Sequence, residues 1–262
     1  MTDLYDRPYQ TDYRNSVWNC GILPVYRQQL YSVYGEYKNT ARDFFATVNL
    51  THNRGWYNRI YAQRIENGQI QRVSLPLSNH GSGYTVKSTL SKGFYDLGLK
   101  TSLLALLNIS KAEQISGGQR LPYQYRLMRL EPKVIWTPNR HWETSYQTDI
   151  RYGGSKIGER TRLAPLWNVT QQVQLSYIFS PIEASLSVDH YHNDVNEDQS
   201  VNAVFADFSV LWKSRRLQIT ATATNLFDKR TYGYTRYASL ESYTSWVRIR
   251  PREFLVAIRY QL

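Results

Sequence analysis

Glu253-Phe254-Leu255-Val256-Ala257-Ile258-Arg259-Tyr260-Gln261-Leu262 decides the fold class of this chain. Side chains alternate sides along an extended backbone, so Phe254, Val256, Ile258, Tyr260 and Leu262 share one face. Glu253, Ala257, Arg259 and Gln261 share the other, with Leu255 as the exception. The stretch reads as a strand with one apolar and one polar side, about as long as a tilted strand needs to be to cross a bilayer.

The same rhythm recurs towards the N-terminus. Leu217, Ile219, Ala221 and Ala223 alternate with Gln218, Thr220, Thr222 and Thr224; Ile182, Ala184, Leu186 and Val188 alternate with Glu183, Ser185, Ser187 and Asp189. Val204 to Trp212, Trp167 to Phe179 and Trp142 to Tyr152 follow suit, with Gln171 interrupting its apolar face. Eleven strands are expected, near 28–38, 42–52, 82–92, 97–109, 123–136, 141–152, 164–179, 182–192, 201–213, 216–226 and 253–262. Their connections alternate in length. Short ones hold Lys38-Asn39-Thr40, Lys92-Gly93, Thr137-Pro138-Asn139-Arg140, Ser180-Pro181 and Lys213-Ser214-Arg215. Long polar ones span 53–81, 110–122, 153–163, 193–200 and 227–252. The first contains Glu66-Asn67-Gly68-Gln69, an Asn-Gly hairpin signal that predicts a β-ribbon.

Short turns on one side, long loops on the other and strands of constant length describe an all-β, antiparallel transmembrane barrel. Tyr84, Tyr123, Trp136, Trp142, Tyr152, Trp167, Phe179 and Trp212 sit near strand ends, where interfacial girdles belong. Composition agrees: 22 tyrosines and 7 tryptophans help bring aromatics to 14% of 262 residues, at a mean hydropathy of -0.54. One cysteine, Cys20, excludes a disulfide scaffold. No apolar run approaches the roughly 18 residues of a spanning helix. A soluble β-sandwich would show the same alternation, but its strands average about half this length. The opening MTDLYDRPYQTDYRNS has no basic segment followed by an apolar one, so no secretory signal is expected within it. A cytoplasmic protein and a piece of a longer precursor both stay open at that point.

Two C-terminal segments carry a resemblance. Asn225-Leu226-Phe227-Asp228-Lys229 closes one expected strand, and Ile249-Arg250-Pro251-Arg252-Glu253-Phe254-Leu255 opens the next. This pair resembles the terminus of TonB-dependent outer-membrane receptors, most closely the SusC-like receptors of Bacteroidota. The match is specific over about 225–262; the earlier chain matches in style only. The family usually ends in an aromatic, and here Leu262 follows Tyr260. The resemblance implies a bacterial outer-membrane, multi-pass protein with a 22-stranded barrel, an N-terminal plug and energy from a TonB complex acting on that plug. Eleven strands would make residues 1–262 the second half of such a barrel, with 1–27 an extracellular loop segment and 28–262 strands and loops. The first barrel half, the plug, its signal peptide and the TonB box are not expected in this chain. The expected function is the C-terminal barrel portion of a receptor for active uptake of a glycan, peptide or iron chelate, inactive alone. The alternative is a complete smaller barrel with a structural or adhesive role. The implied partners are outer-membrane lipid and lipopolysaccharide, the missing plug and first barrel half, the TonB complex, the barrel-assembly machinery reading the strand Phe254 to Leu262, and a surface lipoprotein.

Site chemistry is sparse. No cofactor motif occurs. His190 and His192 share a strand face, as a strand-borne metal pair would, beside the acids Asp194, Glu197 and Asp198. A surface pair beside a solvated loop explains them as well. Asp189 and His190 are the one acid–base pair of note, but neighbours on a strand point to opposite faces and cannot converge on a substrate atom, so no enzyme is expected. The net charge of +11 (32 Lys and Arg against 21 Asp and Glu) is spread through turns and polar faces, which argues against nucleic acid and suits anionic headgroups. Substrate contact would fall to aromatics of the long loops: Trp56, Tyr57, Tyr232, Tyr234, Tyr237 and Tyr243 have faces for stacking on sugar rings or other flat ligands, or for packing on one another.

Overall fold

A computed structural model of the chain describes residues 7–11, 15–66, 69–116, 118–158, 161–195, 199–237 and 242–261. Among them there is no α-helix. The strands in chain order are β1 (Tyr9–Gln10), β2 (Asn15–Trp18), β3 (Tyr26–Asn39), β4 (Phe44–Tyr57), β5 (Ile60–Glu66), β6 (Gln69–Leu75), β7 (Asn79–Phe94), β8 (Leu99–Ser116), β9 (Gln119–Asn139), β10 (Trp142–Ile157), β11 (Thr161–Phe179), β12 (Ile182–Asp194), β13 (Ser200–Lys213), β14 (Leu217–Thr224), β15 (Thr231–Tyr237), β16 (Ser242–Arg248) and β17 (Glu253–Tyr260).

Eleven of these form one antiparallel meander, β3-β4-β7-β8-β9-β10-β11-β12-β13-β14-β17. They are the eleven strands expected from alternation. The pleat makes the faces run across the whole sheet. Val173 pairs with Val188 and Leu175 with Leu186 on the apolar face; Gln172 pairs with Asp189 and Gln174 with Ser187 on the polar one. A one-residue slip would exchange the faces, so this pattern fixes the register.

The short connections close as expected. Asn39 Oδ1 accepts the Arg42 N–H at 3.0 Å and caps a single 3-10 turn. Asn139 Oδ1 accepts the N–H groups of His141 and Trp142, an Asx turn. Gly98 takes φ 58 after the Tyr95–Leu97 turn, and a Cβ there would run into the Thr137 carbonyl.

The other end departs from expectation. The polar stretches 110–122 and 153–163 are not loops: β8 with β9, and β10 with β11, continue their ladders through them to turn residues at 118 and 158. The expected ribbon forms as β5–β6, with Asn67-Gly68 outside the described residues. It is joined by β2 on β6 and by the end of β8 on β5, both parallel, so part of the 1–27 segment is strand. The stretch 227–252 contains the hairpin β15–β16, a separate two-stranded sheet.

Aromatic pairs mark two levels on the apolar face. Trp142 lies over Tyr177 with ring centroids 4.6 Å apart, and Tyr152 over Trp167 at 4.5 Å. The two pairs are ten residues apart along both β10 and β11. Tyr84 and Phe94 repeat that spacing on β7.

Between these levels the apolar face is bare. The described residues bury only three apolar side chains, Ile60, Ala203 and Ala206. The chain exposes 18212 Å², whereas a compact monomer of its mass exposes about 12,000 Å². A β-sandwich would bury one face of each sheet, and among the described residues no second sheet covers the apolar face of this one. Both outer edges are open as well: among the described residues nothing pairs with the free side of β3 or of β17. Every residue of β17 is exposed.

Candidate functional site

The long-loop end gathers the side chains most able to hold a ligand, and the joint beneath the last hairpin fixes their positions. Asn225 and Asp228 both take φ 50, a left-handed conformation that Asn and Asp tolerate better than most residues. Asn225 is 7% exposed and fully bonded. Its N–H donates to Asp207 Oδ1 at 2.7 Å, its Nδ2 donates to the carbonyls of Lys229 and Arg250 at 2.8 and 2.9 Å, and its Oδ1 accepts the Lys229 N–H at 2.9 Å. Asp228 Oδ1 accepts the Arg252 N–H at 2.9 Å while Oδ2 takes the Arg230 guanidinium at 2.8 Å. The Arg230 guanidinium and then the Arg252 N–H hold the Asp228 carboxyl below the usual carboxylate range. The two segments that carried the resemblance therefore form one object, a clasp that ties the end of β14 and the start of β17 to β13.

The clasp sets the hairpin over the polar face of β12 and β13. Asn193 Nδ2 donates to the Tyr232 hydroxyl at 2.7 Å. The Tyr232 ring centroid is 5.3 Å from Tyr191 and 6.1 Å from Phe205, which are themselves 5.8 Å apart and edge-on. Tyr234 stacks on Tyr232 at 6.1 Å. Tyr191, Phe205 and Tyr232 border a cavity of about 620 Å³ whose other walls include Asp189, Asp207, Asn225, Arg250 and Glu253.

Tyr232 and Tyr234 are thus brought to one place. Tyr237 and Tyr243 lie on the same hairpin, in β15 and β16, and their side chains fall outside the described residues. Trp56 and Tyr57 lie in β4, with β7 to β11 between them and β12. As chain neighbours they face opposite sides: Trp56 carries Arg54 over its ring at 5.2 Å, and Tyr57 stacks on Tyr26 at 4.5 Å. They share no surface with Tyr232.

His190 and His192 project from the apolar face, and Asp189 from the polar one. His190 Nδ1 lies 3.4 Å from Gln171 Oε1; His192 Nδ1 lies 2.8 Å from Asn202 Oδ1, with Nε2 3.2 Å from Asp194 Oδ1. Glu197 and Asp198 lie outside the described residues. Among the described residues no three His, Cys, Asp or Glu side chains are grouped to hold a metal ion. In the strand Phe254, Val256, Ile258 and Tyr260 share the apolar face opposite Ala223, Ala221, Ile219 and Leu217; Leu262 lies outside the described residues.

Sequence reasoning passed over Tyr191, Phe205 and Asp207. Their signal was present: alternation puts Tyr191 and Phe205 on the polar face of their strands, where a large aromatic ring has no core to fill. In Asp189-x-Tyr191 and Phe205-x-Asp207, antiparallel pairing sets Asp189 opposite Phe205, with Tyr191 and Asp207 flanking that pair on the same face. Comparisons of the chain with protein-family models, curated proteins and solved structures find no match.

Proposed function

We propose that this chain forms the C-terminal part of the transmembrane barrel of a TonB-dependent outer-membrane receptor for nutrient uptake. The observation that carries the reading is the bare apolar face between two aromatic levels. Ten residues of strand rise about 33 Å, and a tilt near 40° projects this to about 25 Å, the height of the apolar band on outer-membrane barrels. Lipid would cover that face while neighbouring strands pair most of the backbone beneath it; the register breaks on β10 and the two open edges are the exceptions.

The open edges support a partial barrel. An antiparallel meander of eleven strands has its first and last strands running the same way, so β3 and β17 cannot close on each other antiparallel. An odd number of further strands restores an even, fully antiparallel barrel. The plug and the TonB complex would supply energy coupling, while this chain supplies wall, loops and the loop-end cavity. The alternative, a complete smaller barrel, requires a parallel seam between β3 and β17. An antibody to the peptide Arg250 to Leu262, used on outer-membrane fractions under denaturing conditions, separates the two. A band several-fold larger than 30.8 kDa, or a second barrel polypeptide that co-purifies, is the expected result. A lone 30.8 kDa species forming a closed pore would refute the receptor reading.

A further inference from the structure

The cavity beneath the last hairpin is acidic on a chain that is otherwise strongly basic. Its lining includes three carboxylates, Asp189, Asp207 and Glu253, against one guanidinium, Arg250, although the chain as a whole carries +11. No Lys, Arg or His among the described residues forms an ion pair within 4.0 Å of any of the three acids. Asp207 gives one oxygen to the Asn225 N–H at 2.7 Å, and Asp189 stands opposite Gln172, its partner across β11 and β12. A carboxylate accepts about four hydrogen bonds, so both keep capacity for a donor. Asp189 pairs with Phe205, which places Asp207 at the diagonal position of the same face. Diagonal partners stand about 7 Å apart, a gap that an ammonium can bridge. The adjoining wall is the cluster of Tyr191, Phe205 and Tyr232, whose ring faces attract a cation within about 6 Å. Neutral sugars would also find stacking faces here, but they leave the concentration of negative charge unexplained.

We propose that this cavity binds the primary ammonium or guanidinium group of a cationic ligand such as a basic peptide. The inference rests on the receptor reading for its role in uptake, and it names the substrate class of the loop-end cavity. Asp189 and Asp207 grip the cation, the aromatic wall shields it from water, and the clasp at Asn225 keeps the wall in place.

The test uses the full chain, refolded in an uncharged detergent free of lipopolysaccharide. The probe is a dye-labelled tri-lysine peptide, followed by fluorescence anisotropy. The expected result is saturable binding, weakened by salt and absent for the same peptide with acetylated side chains. Asp189→Asn, an isosteric change away from the clasp, weakens it about tenfold or more. Glu253→Gln weakens it by up to about fivefold and reports independently should Asp189→Asn fail to fold. Equal binding of the acetylated peptide, indifference to both variants, or displacement of tri-lysine by neutral maltohexaose would overturn the proposal. Fractionation of cells expressing the chain keeps the two ideas apart. Outer-membrane chain that binds no tri-lysine refutes this inference alone, whereas water-soluble chain that binds it refutes the receptor reading alone.

Discussion

The two ends of the long sheet obey different rules. Between Trp142 and Tyr152 on β10, and between Trp167 and Tyr177 on β11, side chains alternate with one interruption at Gln171, and the two strands stay in one register. Beyond Tyr152 the ladder continues to Ile157 opposite Thr161, but the register shifts between Gly153 and Ser155 and the alternation stops. Hydrogen bonding holds both regions. Under the proposed barrel reading, lipid sorts the faces only in the first. The difference teaches that alternation records the surroundings of a strand, and that a strand leaving those surroundings keeps its backbone bonds without advertising them.

The largest expected effect would break that comparison. Val173, opposite Val188, lies midway between the aromatic levels. Val173→Arg should cost about 2–4 kcal/mol if lipid covers it, read as lost outer-membrane yield and a lower unfolding midpoint in urea. Gln174→Arg on the polar face should stay close to the parent. Equal effects at the two positions would remove the distinction between the faces.

At the loop end, Asn225→Ala removes three side-chain hydrogen bonds at a left-handed residue. A local loss of about 2–3 kcal/mol follows, expected as rapid protease cutting between β14 and β17 while the rest of the sheet resists. Asn225→Gly, which relieves the backbone but restores no bond, should recover little. At the short-turn end, Gly98→Ala forces a Cβ against the Thr137 carbonyl at φ 58 and should lower stability by about 1–2 kcal/mol. Global unfolding reports this one, because the Gly98 turn joins two central strands.

The smallest expected effect is a pH dependence confined to the clasp. Asp228 has its carboxyl depressed by Arg230 and by the Arg252 N–H. A depressed carboxyl contributes stability above its unfolded value, near 4, and loses that contribution as pH falls through the lower folded value. Protease cutting of the hairpin should therefore stay constant from neutral pH down to about 4 and quicken below it. Asp228→Asn should abolish the step. A step in the parent that persists in this variant would assign the titration to another group.

These regions also explain what could be read from the amino-acid order. Ile182, Ala184, Leu186 and Val188 set β12 and its face without help, because one side of the strand is held apolar throughout. The extensions 110–116 and 153–157 went unread because both of their faces are polar or mixed, and turn-like residues such as Gly153-Gly154 look the same inside a strand as in a loop. β15 was hidden for a related reason: Thr231-Tyr232-Gly233-Tyr234 puts aromatics on one side and a glycine packed against Trp246 on the other, without the aliphatic rhythm of the long-sheet strands. For the cavity, Tyr232 and Tyr234 were legible as loop aromatics. Their partners Tyr191 and Phe205 were not, since meeting Tyr232 depends on a clasp whose bonds reach from Asn225 to Arg250.

Spin labels placed one at a time along residues 168–176 of β11, with Cys20 replaced by Ser and the chain in lipid vesicles, test the central claim most directly. The account predicts a period of two: labels at 169, 173 and 175 are relaxed by oxygen dissolved in lipid, and labels at 168, 172 and 174 by a water-soluble nickel chelate. Labels at 169, 173 and 175 closed to both reagents would mean that protein covers the apolar face, and would contradict it.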